Sequence, residues 1–319
     1  MRSIARLVAR RLLVAVPLLI LVTLVVFALI HIAPGDPVRT LLGARPSSPE
    51  TIAAIRERYN LNDPFIVQYG KWLWAALQGD LGISIQGGRS VSTVIFDRLG
   101  LTLFLSAMSA FIVLFAGIGL GILSALKRGS WIDQLVVTLG ILGVSAPAFV
   151  MGIALLYFLG VMLEWFPVYG AGKGFFERFW HLVLPSLALA FSVMAIIIKI
   201  TRAAVIEQLG KDYVTFARAR GLSSRRIIVT YVLRNALVPV VTAAGLIVVG
   251  LVSGAIYVEV TFSLPGLGTL IVDSVEARDI PVIQGVTLVF SILVVLLNLL
   301  IDILYALIDP RIRLDGGTK

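Results

Sequence analysis

The chain has no cysteine and only two histidines, His31 and His181. Without cysteine there can be no disulfide framework, thiolate metal site or thiol nucleophile. Two histidines are too few for the usual zinc or haem constellation. Charge is scarce as well: Asp, Glu, Lys and Arg make up 14% of the 319 residues, against roughly 25% in an average soluble domain. A water-facing surface cannot be covered from so few charges, which excludes a soluble globular enzyme. What the chain has in abundance is apolar, with 59% hydrophobic residues and a mean hydropathy of +0.99, gathered into long runs. It reads as a membrane protein.

Crossing a bilayer core of about 30 Å takes about 20 apolar helical residues. Six stretches meet that requirement: Leu12–Ile32, Leu99–Leu126, Leu135–Leu163, Leu182–Ile198, Ala236–Ile256 and Pro281–Ile308. Arg2, Arg6, Arg10 and Arg11 precede the first. Its apolar core is longer than a signal peptide's and no small-x-small cleavage site follows, so it reads as an uncleaved anchor. Ser145-Ala-Pro147 is expected to kink the third span by removing a backbone hydrogen bond, as a structural bend or as a gating hinge. The formal charge is +9, and its distribution is informative. With both termini inside, inside segments hold 17 of the 27 Lys and Arg residues and outside segments hold 10. Both ends are therefore expected in the cytoplasm, and the basic excess on inside loops argues against nucleic acid as its partner. Residues 1–11 are then a cytoplasmic N-terminus, 12–32 the first span, 33–98 an extracytoplasmic segment, 99–308 the transmembrane core and 309–319 a cytoplasmic C-terminus.

In the external segment, Ser48 with Pro49 in the first turn predicts a helix whose Ile52, Ile55 and Tyr59 share a face. Asp63-Pro64 predicts a second helix carrying Phe65, Trp72, Leu73 and Leu77 and ending at Gly79. Trp72 and Trp74 suit a membrane interface. The segment reads equally as a cap over the bundle or as a platform for an external partner. Inside, residues 199–235 do not resemble a linker. Thr201–Leu209 extends the fourth span until Gly210 breaks it, Asp212 caps a short helix over Tyr213–Arg220, and Gly221 ends that helix. Ser224 then caps a third helix leading to Pro239. A helix of about eight residues is unstable alone in water and must be held by packing. Tyr213, Phe216 and Ala217 share a face, which suits either a groove on another protein or the chain's own bundle.

The run Tyr213-Val-Thr-Phe-Ala-Arg-Ala-Arg-Gly221-Leu222, followed by Leu233-Arg-Asn-Ala-Leu-Val-Pro239, resembles the EAA-type coupling motif of binding-protein-dependent ABC importer permeases. Along most of the chain the similarity is to the B-type permease of the dipeptide/oligopeptide/nickel family. It includes Ala33-Pro-Gly-Asp-Pro37, Leu61-Asn-Asp-Pro64, Gly79-Asp-Leu-Gly-Ile-Ser84, Leu264-Pro-Gly-Leu-Gly268 and Leu304-Tyr-Ala-Leu-Ile-Asp-Pro-Arg-Ile-Arg313. Phe216 stands where the general motif has glutamate, a departure common in the peptide branch. The resemblance implies an all-α polytopic fold of six transmembrane helices, the type I ABC importer permease fold. It implies that Tyr213, Phe216, Ala217, Arg218, Ala219, Arg220, Gly221 and Leu222 form the coupling helix and turn against an ATPase. It also implies a second homologous permease of the C type, two cytoplasmic ABC ATPases that bind ATP and Mg, and an extracytoplasmic substrate-binding protein. The route of a peptide substrate would run between the two permeases, with Ser253 and Gly254 of the fifth span beside it. Nickel chelates, glutathione and haem are alternative cargoes within the family. The external segment 33–98 and the loop 261–279 are expected to meet the binding protein.

Other motifs add little. Gly170-Ala-Gly-Lys173 lacks the upstream glycine of a Walker A loop, and Gly174 stands where Ser or Thr is needed. The chain is accordingly expected to hold no cofactor or metal and not to be an enzyme. Gly117/Gly121 and Gly250/Gly254 have the spacing that lets helices approach closely. Asn298 and Asp302 share a face of the last span and read as a polar clamp near the cytoplasmic end. A secondary transporter driven by an ion gradient would call for midplane carboxylates and an internal repeat, and neither stands out.

Overall fold

The computed structural model describes residues 2–32, 48–50, 53 and 62–308. Among the described residues the chain is helical, apart from turns and one isolated bridge between Ile83 and Ser90. In chain order the helices are α1 (Arg2–Ile32), α2 (Phe65–Leu77), α3 (Val91–Leu126), α4 (Trp131–Ser145), α5 (Ala148–Met162), α6 (Gly174–Leu209), α7 (Asp212–Ala219), α8 (Ser224–Thr261), α9 (Leu267–Glu276) and α10 (Ile280–Ile308). Five of these, α1, α3, α6, α8 and α10, are long and apolar enough to cross a membrane, and α4 with α5 makes a sixth if the bent pair is one span. The chain divides into two units, Met1–Gly100 with Gly266–Leu296, and Leu101–Pro265 with Leu297–Lys319.

In the first unit α2 opens at Asp63-Pro64 and stops before Gly79, whose φ of +85° is a conformation that glycine adopts readily. Its inner face lies on α1. The Phe27 ring meets Phe65, Tyr69 and Trp72 at centroid distances of 5.5, 5.6 and 6.0 Å, and the Tyr69 hydroxyl is 2.9 Å from Thr23 Oγ1. Leu81, Val91, Ile95, Leu267, Leu270, Val282 and Val286 form the unit's core. The buried Asp279 carboxylate accepts from Ser84 Oγ at 2.5 Å and from the Ile85 and Gln86 amides at 3.2 Å. That contact secures the turn at Ser84, Ile85 and Gln86. Residues 261–279, expected to be a loop, contain α9. Pro49 and Glu50 are helical, whereas Ile52, Ile55, Tyr59, the run 33–37 and residues 309–313 lie outside the described residues.

The second unit is built around α6. Of its most apolar window 61% is buried, against 33% for α8. Glycines let its neighbours come close. A Cβ added at Gly121 would sit 2.6 Å from Thr201 Cβ and 2.9 Å from the Ile198 carbonyl oxygen, and one at Gly143 would sit 2.8 Å from the Phe191 carbonyl oxygen. The Gly117/Gly121 pair thus packs α3 on α6. The Gly250/Gly254 pair does not act as one: a Cβ added at Gly254 would sit 3.1 Å from Leu189 Cδ1, while one at Gly250 would meet open space.

Two spans differ from expectation. The helix α3 begins at Val91 rather than Leu99, because the charged pair Asp97-Arg98 interrupts the apolar run without interrupting the helix. The third span does not merely kink; α4 stops and α5 restarts at a bend of 108°. Ala146 is extended, with φ −97° and ψ 123°, as the residue before a proline prefers. Pro147 then opens α5 at a point where its missing N–H costs nothing.

Candidate functional site

The short polar helix α7 follows α6 after a break at Gly210 and Lys211. Lys211, with φ −78° and ψ 148°, occupies the capping position, and Asp212 lies in the first turn instead of capping it. An acid there still favours the helix dipole. At the other end, the Gly221 amide donates to the Arg218 carbonyl at 2.9 Å and the Leu222 amide to the Ala217 carbonyl at 3.2 Å. With Gly221 at φ +74°, this is a Schellman cap, which consumes the last carbonyls and reverses the chain. Ser223 rather than Ser224 precedes the next helix. One residue of displacement is the usual error of reading caps from sequence.

Packing divides the residues of this segment. Val214 and Ala217 are buried with Ala125, Ala204, Val205, Ile227, Val232 and Ala236, and Tyr213 and Leu222 pack against the same cluster. The Tyr213 hydroxyl lies 2.5 Å from Gln208 Oε1, which holds α7 to the end of α6. Phe216, Arg218, Ala219, Arg220 and Gly221 are exposed, and the Phe216 ring is 68% open. The expected face of Tyr213, Phe216 and Ala217 is therefore split: two residues serve the chain's own bundle and Phe216 alone projects. Burying a side chain of this size is worth about 1.5–3 kcal/mol, a stabilisation that the chain by itself leaves unused.

The fifth span also separates its two candidates. Ser253 lies on an exposed stripe of α8 with Thr242, Leu246, Gly250, Tyr257 and Val260, spaced three and four residues apart. Gly254 instead turns toward Leu189 of α6. On α10, the Tyr305 hydroxyl donates to the Thr242 carbonyl at 2.5 Å, one turn after Asp302.

Buried polar contacts, those of Glu259 and Asp133 as well as that of Asp279, escaped the sequence reading. Glu259, fully buried in α8, accepts from Thr102 Oγ1 at 2.6 Å. Asp133, 5% exposed, receives Arg202 Nε at 2.7 Å and Nη2 at 2.8 Å, Ser124 Oγ at 2.5 Å and the Gly129 amide at 3.0 Å. Each acid sits at the margin of an apolar run, and a partner 69 or 157 residues away leaves no local pattern.

A family model described as the binding-protein-dependent transport system inner membrane component matches residues 117–314, and the N-terminal model of the same system matches residues 4–106. The chain belongs to this permease family. Among its relatives are the glutathione transport system permease proteins GsiC of Salmonella paratyphi A and of Escherichia coli strain K12. Each is 40% identical over 306 residues, covering 96% of this chain and 98% of the relative. Among solved structures, an inward-facing form of the MetNI methionine ABC transporter aligns with a TM-score of 0.57 at 19% identity, over 68% of this chain and 96% of that one. An amino acid ABC transporter with histidines aligns with a TM-score of 0.51 at 18% identity, over 67% and 94%. The fold is that of type I ABC importer permeases, and this chain is a multi-span permease of an ABC importer system.

Proposed function

We propose that this permease carries short peptides inward across the inner membrane, with glutathione, itself a tripeptide, inside the range of cargo. The relative at 40% identity, matched over 98% of its length, supports that class. Both termini lie in the cytoplasm, and residues 33–98 and 261–279 lie outside, where an extracytoplasmic binding protein delivers the substrate. A second permease of the C type completes the pathway. Ser253, on the open stripe of α8, lines it, and Gly254 supports that wall from behind.

The work comes from two cytoplasmic ATPases, which bind and hydrolyse ATP with Mg, and this chain contributes no catalytic group. The observation that carries the reading is Phe216. An aromatic ring projects from a short helix whose opposite face is locked to α6, flanked by exposed Arg218, Ala219 and Arg220. Seated in an ATPase groove, that knob passes the closure of the ATPase pair to α7 as a rigid push. Gly221, Leu222, Tyr213 and Ala217 keep α7 in place. Nucleotide shifts the two access states only through its different affinity for each.

A single cysteine at Phe216 tests this, since the chain has none of its own. In the assembled transporter it should crosslink to cysteines scanned across the ATPase surface, with a yield that changes on adding Mg-ATP. A transporter that still imports substrate yet gives no crosslink at Phe216 or Ala219 would refute the coupling role. For the cargo, reconstituted complex with its binding protein should take up labelled dipeptide or glutathione. Uptake of nickel or haem alone would refute the peptide class.

A further inference from the structure

The Asp133–Arg202 pair occupies the end of the bundle that meets the coupling segment. Ser124 is in the last turn of α3, Gly129 in the turn after it, Asp133 in the first turn of α4 and Arg202 two turns before the end of α6. Ser130 caps α4 through the Asp133 amide, so the backbone that carries the carboxylate is itself held. Both carboxylate oxygens are engaged, and the guanidinium approaches with two nitrogens in parallel. A buried ion pair is a poor device for stability alone, because apolar residues of similar volume do as well or better. What it adds is a fixed geometry, since a two-pronged contact resists both sliding and rotation. Immediately beside it, Gly121 brings the α3 backbone against Thr201 and Ile198, and Ala125 enters the same buried cluster as Val214 and Ala217 of α7.

The link from α7 into α8 is built differently. It passes through a π-helical stretch, Ile227–Leu233, and then Pro239, features that mark places where a helix bends. Ile227 and Val232 of that stretch share the buried cluster with Val214 and Ala217, so α7 is packed on both sides, but only the α3–α4–α6 side carries a two-pronged ion pair that fixes direction. We infer that Asp133 and Arg202 are positioning residues for transport, joining α3, α4 and α6 to the coupling helix so that a push on α7 moves all four as one body. The inference rests on the coupling role proposed for α7.

The test uses the complete complex of both permeases, ATPases and binding protein, with nitroxide labels at Gln134→Cys on α4 and Thr215→Cys on α7, both exposed positions. In the parent the distance between the labels should stay the same with and without Mg-ATP and vanadate. In Asp133→Asn, which removes the charge, and Arg202→Lys, which keeps charge but loses the fork, the distance should shift and broaden when nucleotide is added. Basal ATP hydrolysis should persist in both, while its stimulation by loaded binding protein falls about tenfold, within the usual range of coupling between sites. A distance that already changes with nucleotide in the parent overturns the inference. So does one that neither substitution alters, or failure of both variants to assemble, which would leave the pair a folding contact only. If the parent's Phe216→Cys crosslink is missing, the coupling role of α7 is what fails, independently of the ion pair.

Discussion

Phe216 and Ala217 are neighbours in sequence with opposite duties. Ala217 is 5% exposed against its own bundle, and Phe216 is 68% exposed. On a helix of eight residues a step of one residue turns the side chain by about 100°, because the period is about 3.6 residues. A substitution at Ala217 therefore disturbs the fold of the segment, whereas one at Phe216 disturbs only what covers the ring. Phe216→Ala should leave the permease's expression and thermal stability unchanged. It should weaken ATPase binding by about 1.5–3 kcal/mol if the groove covers the ring fully, or about 10- to 150-fold in Kd, measured by titrating detergent-solubilised permease with ATPase. Undiminished affinity would show that the ring meets something else. Gly221 has its own fixed part, since at φ +74° a β-branched side chain would be strained.

Between helices, the decisive quantity is the room left by glycine. Gly121 and Gly250 stand in equivalent sequence patterns, four residues from Gly117 and Gly254. Only Gly121 has its Cβ position taken, 2.6 Å from Thr201 Cβ and 2.9 Å from a backbone oxygen that cannot rotate away. Gly121→Ala should destabilise the permease by about 1–3 kcal/mol through overpacking. Gly250→Ala should be neutral or stabilise by up to about 1 kcal/mol through helix propensity. Thermal unfolding of the two purified variants makes the comparison, and equal shifts would contradict the packing of α3 on α6. The α4–α5 bend belongs to this scale as well. Pro147 was legible as a break, but the direction of the restarted helix depends on what α5 meets, including Phe262, which lies 3.1 Å from a Cβ placed at Gly152.

For the whole molecule, the orientation proposed from charge is open to direct measurement. The turn Lys127–Ser130 precedes α4, and Gly170–Lys173 precedes α6. With both termini inside, Arg128→Cys should react with a membrane-impermeant maleimide only in inverted vesicles, and Lys173→Cys only in intact cells or right-side-out vesicles. The opposite pattern would reverse the topology and place α7 outside, where no cytoplasmic ATPase could reach it.

Class, element types and the short helix α7 with its glycine cap were all readable in the chain itself, because each rests on local quantities. Hydropathy over about 20 residues marks a span, a proline or glycine marks its end, and the run Tyr213–Leu222 carries its own signature within ten residues. The break at Gly210, the cap at Gly221, the end of α2 at Gly79 and the close approach at Gly121 all follow from backbone properties of single residues. Tertiary structure decided what depends on distant partners. It set which side of α7 faces the bundle, which of Ser253 and Gly254 is open, that Asp97 and Arg98 continue a helix, and that residues 261–279 hold α9. It also paired Asp133 with Arg202 and Glu259 with Thr102. Helical periodicity shows which residues share a face, but the face that is buried is chosen by the neighbour that comes to cover it, and that neighbour lies far along the chain.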